Sequence, residues 1–279
     1  MFKARTNPAS TFGRRRLISR FQCSIHFPFV FPARWAGLLH LAPSAQLILI
    51  LLLLLLTPPL AAAQQPFTAA FAGDSTLAQK PPEKRPETWK IDNLKEIGGS
   101  SLTITGQPRV IKDATSKAIA FDGKGDGLLV NRNPIAGARV FTIEAIFRPE
   151  AGGDFEQRWL HIQDDKIDDR ALLELRATGN EWFLDTFIKS GENRLALLAE
   201  KFKHPIGPWY HVALVFDGVT MRHYVDGKEE MSGPLTISFL GPGKTSLGVR
   251  MNHISWFKGA IREVRFTQRA LTPAEFLKK

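Results

Sequence analysis

The sequence predicts an all-β fold, two antiparallel sheets stacked as a sandwich with one short C-terminal helix, and three observations carry the prediction. Short β-prone runs recur between Gly, Asn, Asp and Pro clusters from Trp89 onwards, the texture of a sandwich. Two Asp-Gly pairs, Asp217-Gly218 and Asp226-Gly227, bracket the apolar run 219–225, as in three strands folded back on one another. Only the final stretch carries a helix-start signal.

Taken in order, strands are expected at 102–105, 117–121, 128–130, 140–148, 158–163, 171–176, 182–189 and 195–199. The central meander follows. Tyr210, Val212, Leu214 and Phe216 share one parity while His211, Ala213 and Val215 share the other, so both faces of this strand are covered. Asp-Gly suits a type I′ turn, which needs positive φ at both central residues, and such a turn is expected at both pairs. Further strands are expected at 235–239, 245–251 and 260–266. Thr272-Pro273-Ala274-Glu275 reads as a capping box with Pro in the first helical position. The Thr hydroxyl can accept from the Glu275 N–H, and the Glu275 carboxylate can reach back to the Thr272 N–H. A single turn to Leu277 should follow.

Three stretches resemble one known family. Residues 209–218, W-Y-H-V-A-L-V-F-D-G, followed by H-Y-V-D-G-K at 223–228, are similar to the central signature of laminin-G-like (LamG) jelly rolls of the concanavalin-A-like lectin and glucanase superfamily. Residues 257–265 and 269–276 resemble that family's closing strand and tail, and Ala120-Phe121-Asp122-Gly123 with Gly125-Asp126-Gly127 resembles its early strand and turn. The likeness runs from Trp89 to the C-terminus. It implies a jelly-roll sandwich, in which sugars commonly bind on the concave face, and leaves the activity open because one fold hosts many.

The chain divides into a secretory signal region 1–63, a linker 64–87 and the jelly-roll domain 88–279. Residues 1–63 hold seven basic residues and no acidic one, then ten consecutive Leu or Ile (47–56), then Pro58-Pro59 and Ala61-Ala62-Ala63. This order marks a signal with cleavage expected after Ala63. Left uncleaved, the 22 residues 35–56 would be long enough to span a bilayer, weakened by Pro43 and His40; membrane contact is expected only through this segment. The linker is rich in Ala, Pro, Gln and Lys and would hold the domain away from it.

Removing the signal lowers Lys+Arg from 37 to 37 − 7 = 30 against 27 Asp+Glu, so the net charge falls from +10 to +3. Basic charge therefore supplies no argument for a nucleic-acid partner. Cys23, the sole cysteine, lies in the leader, which excludes disulfides and thiol chemistry from the mature chain.

Several predicted strands carry polar residues at alternate positions. Glu144 and Arg148 share a parity with Thr142; Trp159, His161 and Gln163 share another; Glu174 matches Arg176, and Asp185 matches Lys189. With His211 and Arg250 these are expected to line one sheet face and bond sugar hydroxyls. Trp159, Trp182 or Trp256 would offer a flat surface to a sugar's C–H face. Trp256, in a loop-like stretch, is the favoured platform, and Trp209 is expected in the core. The competing reading is a solvated face with opposite charges paired across strands. His211 likewise reads either as a ligand contact or as a strand histidine bonding a neighbouring carboxylate or backbone group.

Enzyme motifs are sparse. The E-x-D-x-x-E run of this superfamily's retaining glycosidases, which the two-carboxylate mechanism needs, does not occur; nor do G-x-S-x-G, H-E-x-x-H or a phosphate loop. A polysaccharide lyase would need only a His or Tyr base and groups neutralising a uronate. Because LamG-like domains often bind calcium, the resemblance implies a structural Ca²⁺ site at Asp122 and Asp126, whose Gly-rich turn could present oxygens. A second acidic cluster, Asp164, Asp165, Asp168 and Asp169, reads as a solvated loop. The expectation is thus a secreted, non-catalytic, lectin-like carbohydrate-binding domain. The alternatives are a lyase or glycosidase acting on the sheet face, and an extracellular protein-adhesion module.

Overall fold

The computed structural model describes residues 84–112 and 116–279, all within one unit, Ser75–Lys279. The signal region 1–63 and the linker as far as residue 83 lie outside the described residues. Among those described, no helix is long and apolar enough to cross a membrane.

Strands run in the order β1 (Glu87–Lys90), β2 (Glu96–Ile97), β3 (Ser100–Thr105), β4 (Arg109–Lys112), β5 (Lys117–Asp122), β6 (Gly127–Val130), β7 (Phe141–Pro149), β8 (Glu156–Asp164) and β9 (Arg170–Thr178). There follow β10 (Glu181–Ser190), β11 (Asn193–Leu198), β12 (His204–Pro205), β13 (Tyr210–Phe216), β14 (Thr220–Val225), β15 (Lys228–Pro234), β16 (Gly243–Leu247) and β17 (Lys258–Thr267). An eight-stranded sheet has the order β15-β14-β13-β7-β17-β5-β4, with β1 on β17. A nine-stranded sheet has the order β11-β10-β9-β8-β16-β6-β3-β2, with β12 on β10. Both are antiparallel, giving the expected all-β jelly-roll sandwich.

Period-2 alternation puts Ile143, Ala145 and Phe147 of β7 and Val212, Leu214 and Phe216 of β13 into one core with Leu173 and Leu175 of β9 and Leu184 and Ile188 of β10. Aromatic rings bridge the layers: Phe147 stacks on Trp159 at 4.6 Å and meets Trp182 edge-on at 5.1 Å. Burying such side chains contributes about 1.5–3 kcal/mol each. Two core polar groups meet across the sheets, Thr186 Oγ1 lying 2.9 Å from His223 Nδ1, while His223 Nε2 is buried without a partner. Burial pulls the His223 pKa down to about 3, so the imidazole is neutral.

The meander forms β13, β14 and β15 as expected, but its two turns differ. Asp226 (φ 48°) and Gly227 (φ 79°) both take positive φ in a two-residue hairpin. Between β13 and β14 only Gly218 does so (φ 103°), because the Asp217 carboxylate accepts the Val219 and Thr220 N–H groups (3.0 and 2.8 Å) and sustains a three-residue loop. Residues 235–239 are irregular and form no strand. The terminal helix is a single 3-10 turn, Pro273–Glu275. The Glu275 carboxylate accepts the Thr272 N–H (2.8 Å) as expected. The Thr272 hydroxyl also lies 3.0 Å from that carboxylate, and the Glu275 N–H donates to the Thr272 carbonyl (2.9 Å).

Candidate functional site

Strand pairing stacks the outward residues of the nine-stranded sheet into rows that cross it. One row runs from Leu129 through Ser246, His161, Leu172 and Phe187 to Ala196. It crosses six strands, about 24 Å at the usual strand spacing. On one side lies a basic row of Lys244, Gln163, Arg170, Lys189 and Arg194. On the other lie Arg158, Glu174, Asp185 and Leu198, with Glu156, Arg176 and Phe183 beyond them. The result is a trough with a mostly apolar floor and charged walls.

The loop from β16 to β17 folds back against this face. Ser246 Oγ donates to the Val249 carbonyl (2.7 Å), and the Met251 N–H donates to His161 Nδ1 (3.1 Å). Arg158 donates its backbone N–H to the Ser255 carbonyl (2.9 Å) and Nη1 to Ser255 Oγ (2.6 Å). Gly127 permits the approach, since a Cβ there would lie 2.6 Å from Val249 Cγ1. His253 and Ser255 hold positive φ (59° and 58°), strain of the kind found at ligand sites. The loop divides the trough into two depressions. One, about 240 Å³, is lined by Leu129, Ser246, Val249, Met251 and His253, with the half-buried Trp256 ring 5.7 Å from His253. The other, about 220 Å³, is lined by Arg158, Arg170, Glu174, Asp185, Phe187 and Arg250 among others.

Charge in the second depression is unevenly matched. Arg158 bonds Glu174 (3.0 Å) and pairs with Glu156; Arg176 pairs with Glu156 (3.0 Å), Glu174 (3.4 Å) and Asp185. Arg170 pairs with Asp168 and lies over the Phe187 ring at 5.1 Å. Burial, reinforced by the neighbouring Glu174 carboxylate, pushes Asp185 up to about 7; burial also raises Glu174 despite Arg158 and Arg176. His161 is driven down to about 3 by burial and then by Arg250, Arg170 and Arg158.

The predicted polar residues do not share one face. His161, Glu174, Arg176, Asp185, Lys189 and Arg250 gather at the trough, and Trp256 lies in its loop. Glu144, Arg148 and His211 belong to the eight-stranded sheet, because β7 and β13 pair with each other rather than with β8 to β10. Glu144, with no exposed surface, accepts from Arg265 Nε (2.6 Å), His211 Nε2 (3.0 Å) and the Leu277 N–H (2.8 Å). Phe276 covers His211 at 5.3 Å. These groups fasten the C-terminal tail. Arg148 pairs with Glu150 and lies over Trp209, as does Arg262, at 5.1 and 5.0 Å. Trp209 is therefore half-buried on the outside rather than in the core.

Trp159 and Trp182 are core residues with no exposed surface and offer no sugar platform. A β-bulge between Arg158 and Leu160 turns Trp159 inward, out of phase with His161, and turns Arg158 into the trough. Asp122 Oδ1 accepts the Lys124, Gly125 and Asp126 backbone N–H groups, and the two Asp126 carboxylate oxygens accept those of Gln107 and Asp122. Donors directed at both carboxylates compete with a cation, and among the described residues no three His, Cys, Asp or Glu side chains group as a metal site. In the second acidic cluster Asp164 and Asp169 are buried and cap turns, accepting from Gly241 and Gly191 N–H groups (both 2.7 Å).

A two-sheet antiparallel sandwich of this kind is a jelly roll. The family model Laminin_G_3, of the concanavalin A-like lectin/glucanases superfamily, matches residues 122–276, and the chain belongs to that family. Among solved structures it is similar to domain 4 of AbnA, a GH43 extracellular arabinanase from Geobacillus stearothermophilus in complex with arabinotriose. The TM-score is 0.54 at 20% identity, over 69% of this chain and 97% of that domain. The binding domain of Paraclostridial Mosquitocidal Protein 1 is similar at TM-score 0.53 and 14% identity, over 68% of this chain and 50% of that one. Trypanosoma rangeli sialidase in complex with sialic acid is similar at TM-score 0.51 and 14% identity, over 67% and 31%. At these identities the likeness is one of fold. The chain spans about half of the toxin domain's length and under a third of the sialidase's. No curated protein matches the sequence.

Proposed function

We propose that the chain is an exported, non-catalytic carbohydrate-binding protein whose ligand lies along the trough. The observation that carries this reading is the cross-strand row of mostly small and apolar groups between two charged rows, which the loop from β16 to β17 divides into two open depressions. Such a floor suits the C–H faces of sugar rings, and guanidinium and carboxylate groups on the walls suit their hydroxyls. Trp256 and His253 extend the apolar surface at the far depression. The structure of domain 4 of AbnA is of a complex with arabinotriose, so a sandwich of this shape accommodates an oligosaccharide. The signal region 1–63 supports export, with Gln64 as the mature N-terminus.

One observation favours a second reading, catalysis on a glycan. Glu174 and Asp185 lie side by side in the depression with raised pKa values, a property that glycosidase acids share. The test is native electrophoresis of the purified protein, expressed from its full sequence, through gels containing different polysaccharides. Retardation without loss of the polymer supports the binding reading, clearing of the polymer supports the catalytic one, and unretarded migration in every gel overturns both. N-terminal sequencing of the exported protein should begin at Gln64; recovery of the intact N-terminus in membranes would overturn cleavage.

A further inference from the structure

We infer that the arginine-walled depression is a subsite for an anionic substituent, a carboxylate or a sulfate ester, of the bound saccharide, with Arg250 as its principal contact. This rests on the reading above that the trough holds carbohydrate. Of the four guanidinium groups there, Arg158, Arg170 and Arg176 are engaged by Glu156, Asp168, Glu174 and Asp185. Arg250 is different. Its Nε is buried without a hydrogen-bond partner, as is that of Arg170, but unlike Arg170 it forms no ion pair with an acidic group among the described residues. Burial, then the proximity of Arg158 and Arg170, works against its charge, and the weaker pull of Glu174 and Asp168 does not offset them.

A half-buried guanidinium facing like charges is costly unless an anion completes it. A carboxylate or sulfate is the group that its planar fork bonds in bidentate fashion. His161 adds a second unmet donor at the same place. Its Nδ1 accepts the Met251 N–H and the ring is neutral, so the proton sits on Nε2, which is buried and unpartnered. Glu174 and Asp185 line the same depression but are drawn to Arg158 and Arg176. A ligand ring on Leu172 and Phe187 would thus present its anion to Arg250 and its hydroxyls to the carboxylates. The basic row of Lys244, Arg170, Lys189 and Arg194 would add long-range attraction for an anionic polymer.

The experiment compares retardation of the purified protein by a polyuronate, by the same polymer with its carboxylates methyl-esterified, by a sulfated polysaccharide, and by a neutral polysaccharide. The polyuronate, the sulfated polymer or both should bind at least tenfold more tightly than the ester, and which one does so assigns the anion. Arg250→Gln should lose at least tenfold more on that polymer than on the ester, and Arg250→Lys should recover part of the loss. Thermal melts of both variants should match the wild type. The His161 ring resonances should move on binding the polyanion and stay in place with the neutral polymer. Equal binding of the polyuronate, its ester and the sulfated polymer, or full polyanion binding by folded Arg250→Gln, overturns the subsite and leaves the carbohydrate reading intact. Failure of all four polymers overturns both.

Discussion

Each sheet carries a buried cluster of glutamate, arginine and histidine on its outer face, and the two clusters are put to opposite uses. On the eight-stranded sheet, Glu144 meets Arg265, His211 and the Leu277 N–H, while Phe276 and Leu271 pack on Ala213, Val215 and Tyr224 above them. The chain has supplied its own ligand there, namely its tail. On the nine-stranded sheet the corresponding groups face an open trough, and Arg250 Nε and His161 Nε2 are left without partners. Residue type alone does not separate a structural cluster from a binding one; what separates them is whether the chain itself satisfies the polar atoms.

The sharpest way to break this comparison is to delete one glutamate from each cluster. Glu144→Ala leaves Arg265 and His211 without their shared acceptor beneath the tail, and removing one partner of a buried pair costs about 3–5 kcal/mol. Glu174→Ala should cost less, about 1.5–3 kcal/mol, the loss of a hydrogen bond to a charged group whose partners keep other acceptors. Arg158 keeps Glu156, and Arg176 keeps Glu156 and Asp185. Urea denaturation at pH 7.5 measures both, and a larger loss from Glu174→Ala would reverse the roles assigned to the two faces.

This division was only partly legible in the sequence. The meander, the sandwich and the outward parity of Glu174, Arg176, Asp185 and Lys189 follow from alternation, a local property. Which strands pair is set by long-range contacts, so nothing local could say that β7 and β13 belong to the other sheet from β8, β9 and β10. Parity also fails at a bulge: the extra residue at Trp159 moved that ring into the core and hid Arg158. Arg170 was recoverable, for it shares parity with Glu174, and starting the strand one residue earlier would have included it. That Arg250 lacks a partner is visible only in three dimensions.

Acid titration sharpens the contrast between core and trough. His161 and His223 both have folded pKa values near 3, against an ordinary 6.5, chiefly through burial. As pH falls below 6.5 the unfolded chain takes up these protons and the folded chain does not. Their contribution is therefore complete above pH 6.5 and is lost progressively towards pH 3, by about 2 kcal/mol each near pH 5. His223→Leu should flatten half of that slope in urea titrations between pH 7 and 5, whether or not ligand is present. A bound polyanion should reduce the other half, because it offsets the Arg250, Arg170 and Arg158 charges that help hold His161 neutral. Ligand protection that vanishes in His223→Leu and persists in His161→Gln would place the anion at the wrong end of the molecule.

The smallest expected effect belongs to Asp185. With its folded pKa raised to about 7 from 3.8, through burial and then Glu174, the folded state keeps a proton that the unfolded state releases, so its contribution declines as pH rises from about 4 to 7. Asp185→Asn removes the titration while keeping the shape. The variant should gain on the wild type steadily as pH rises from about 4.5 to 8, whatever constant offset the amide adds. The same substitution separates binding from catalysis. An acceptor on the wall of a binding trough tolerates replacement by an amide, so retardation by the cognate polymer should change less than threefold. A catalytic acid does not tolerate it, so clearing of the polymer by wild type that stops in Asp185→Asn, with retardation preserved, would make the trough an active site.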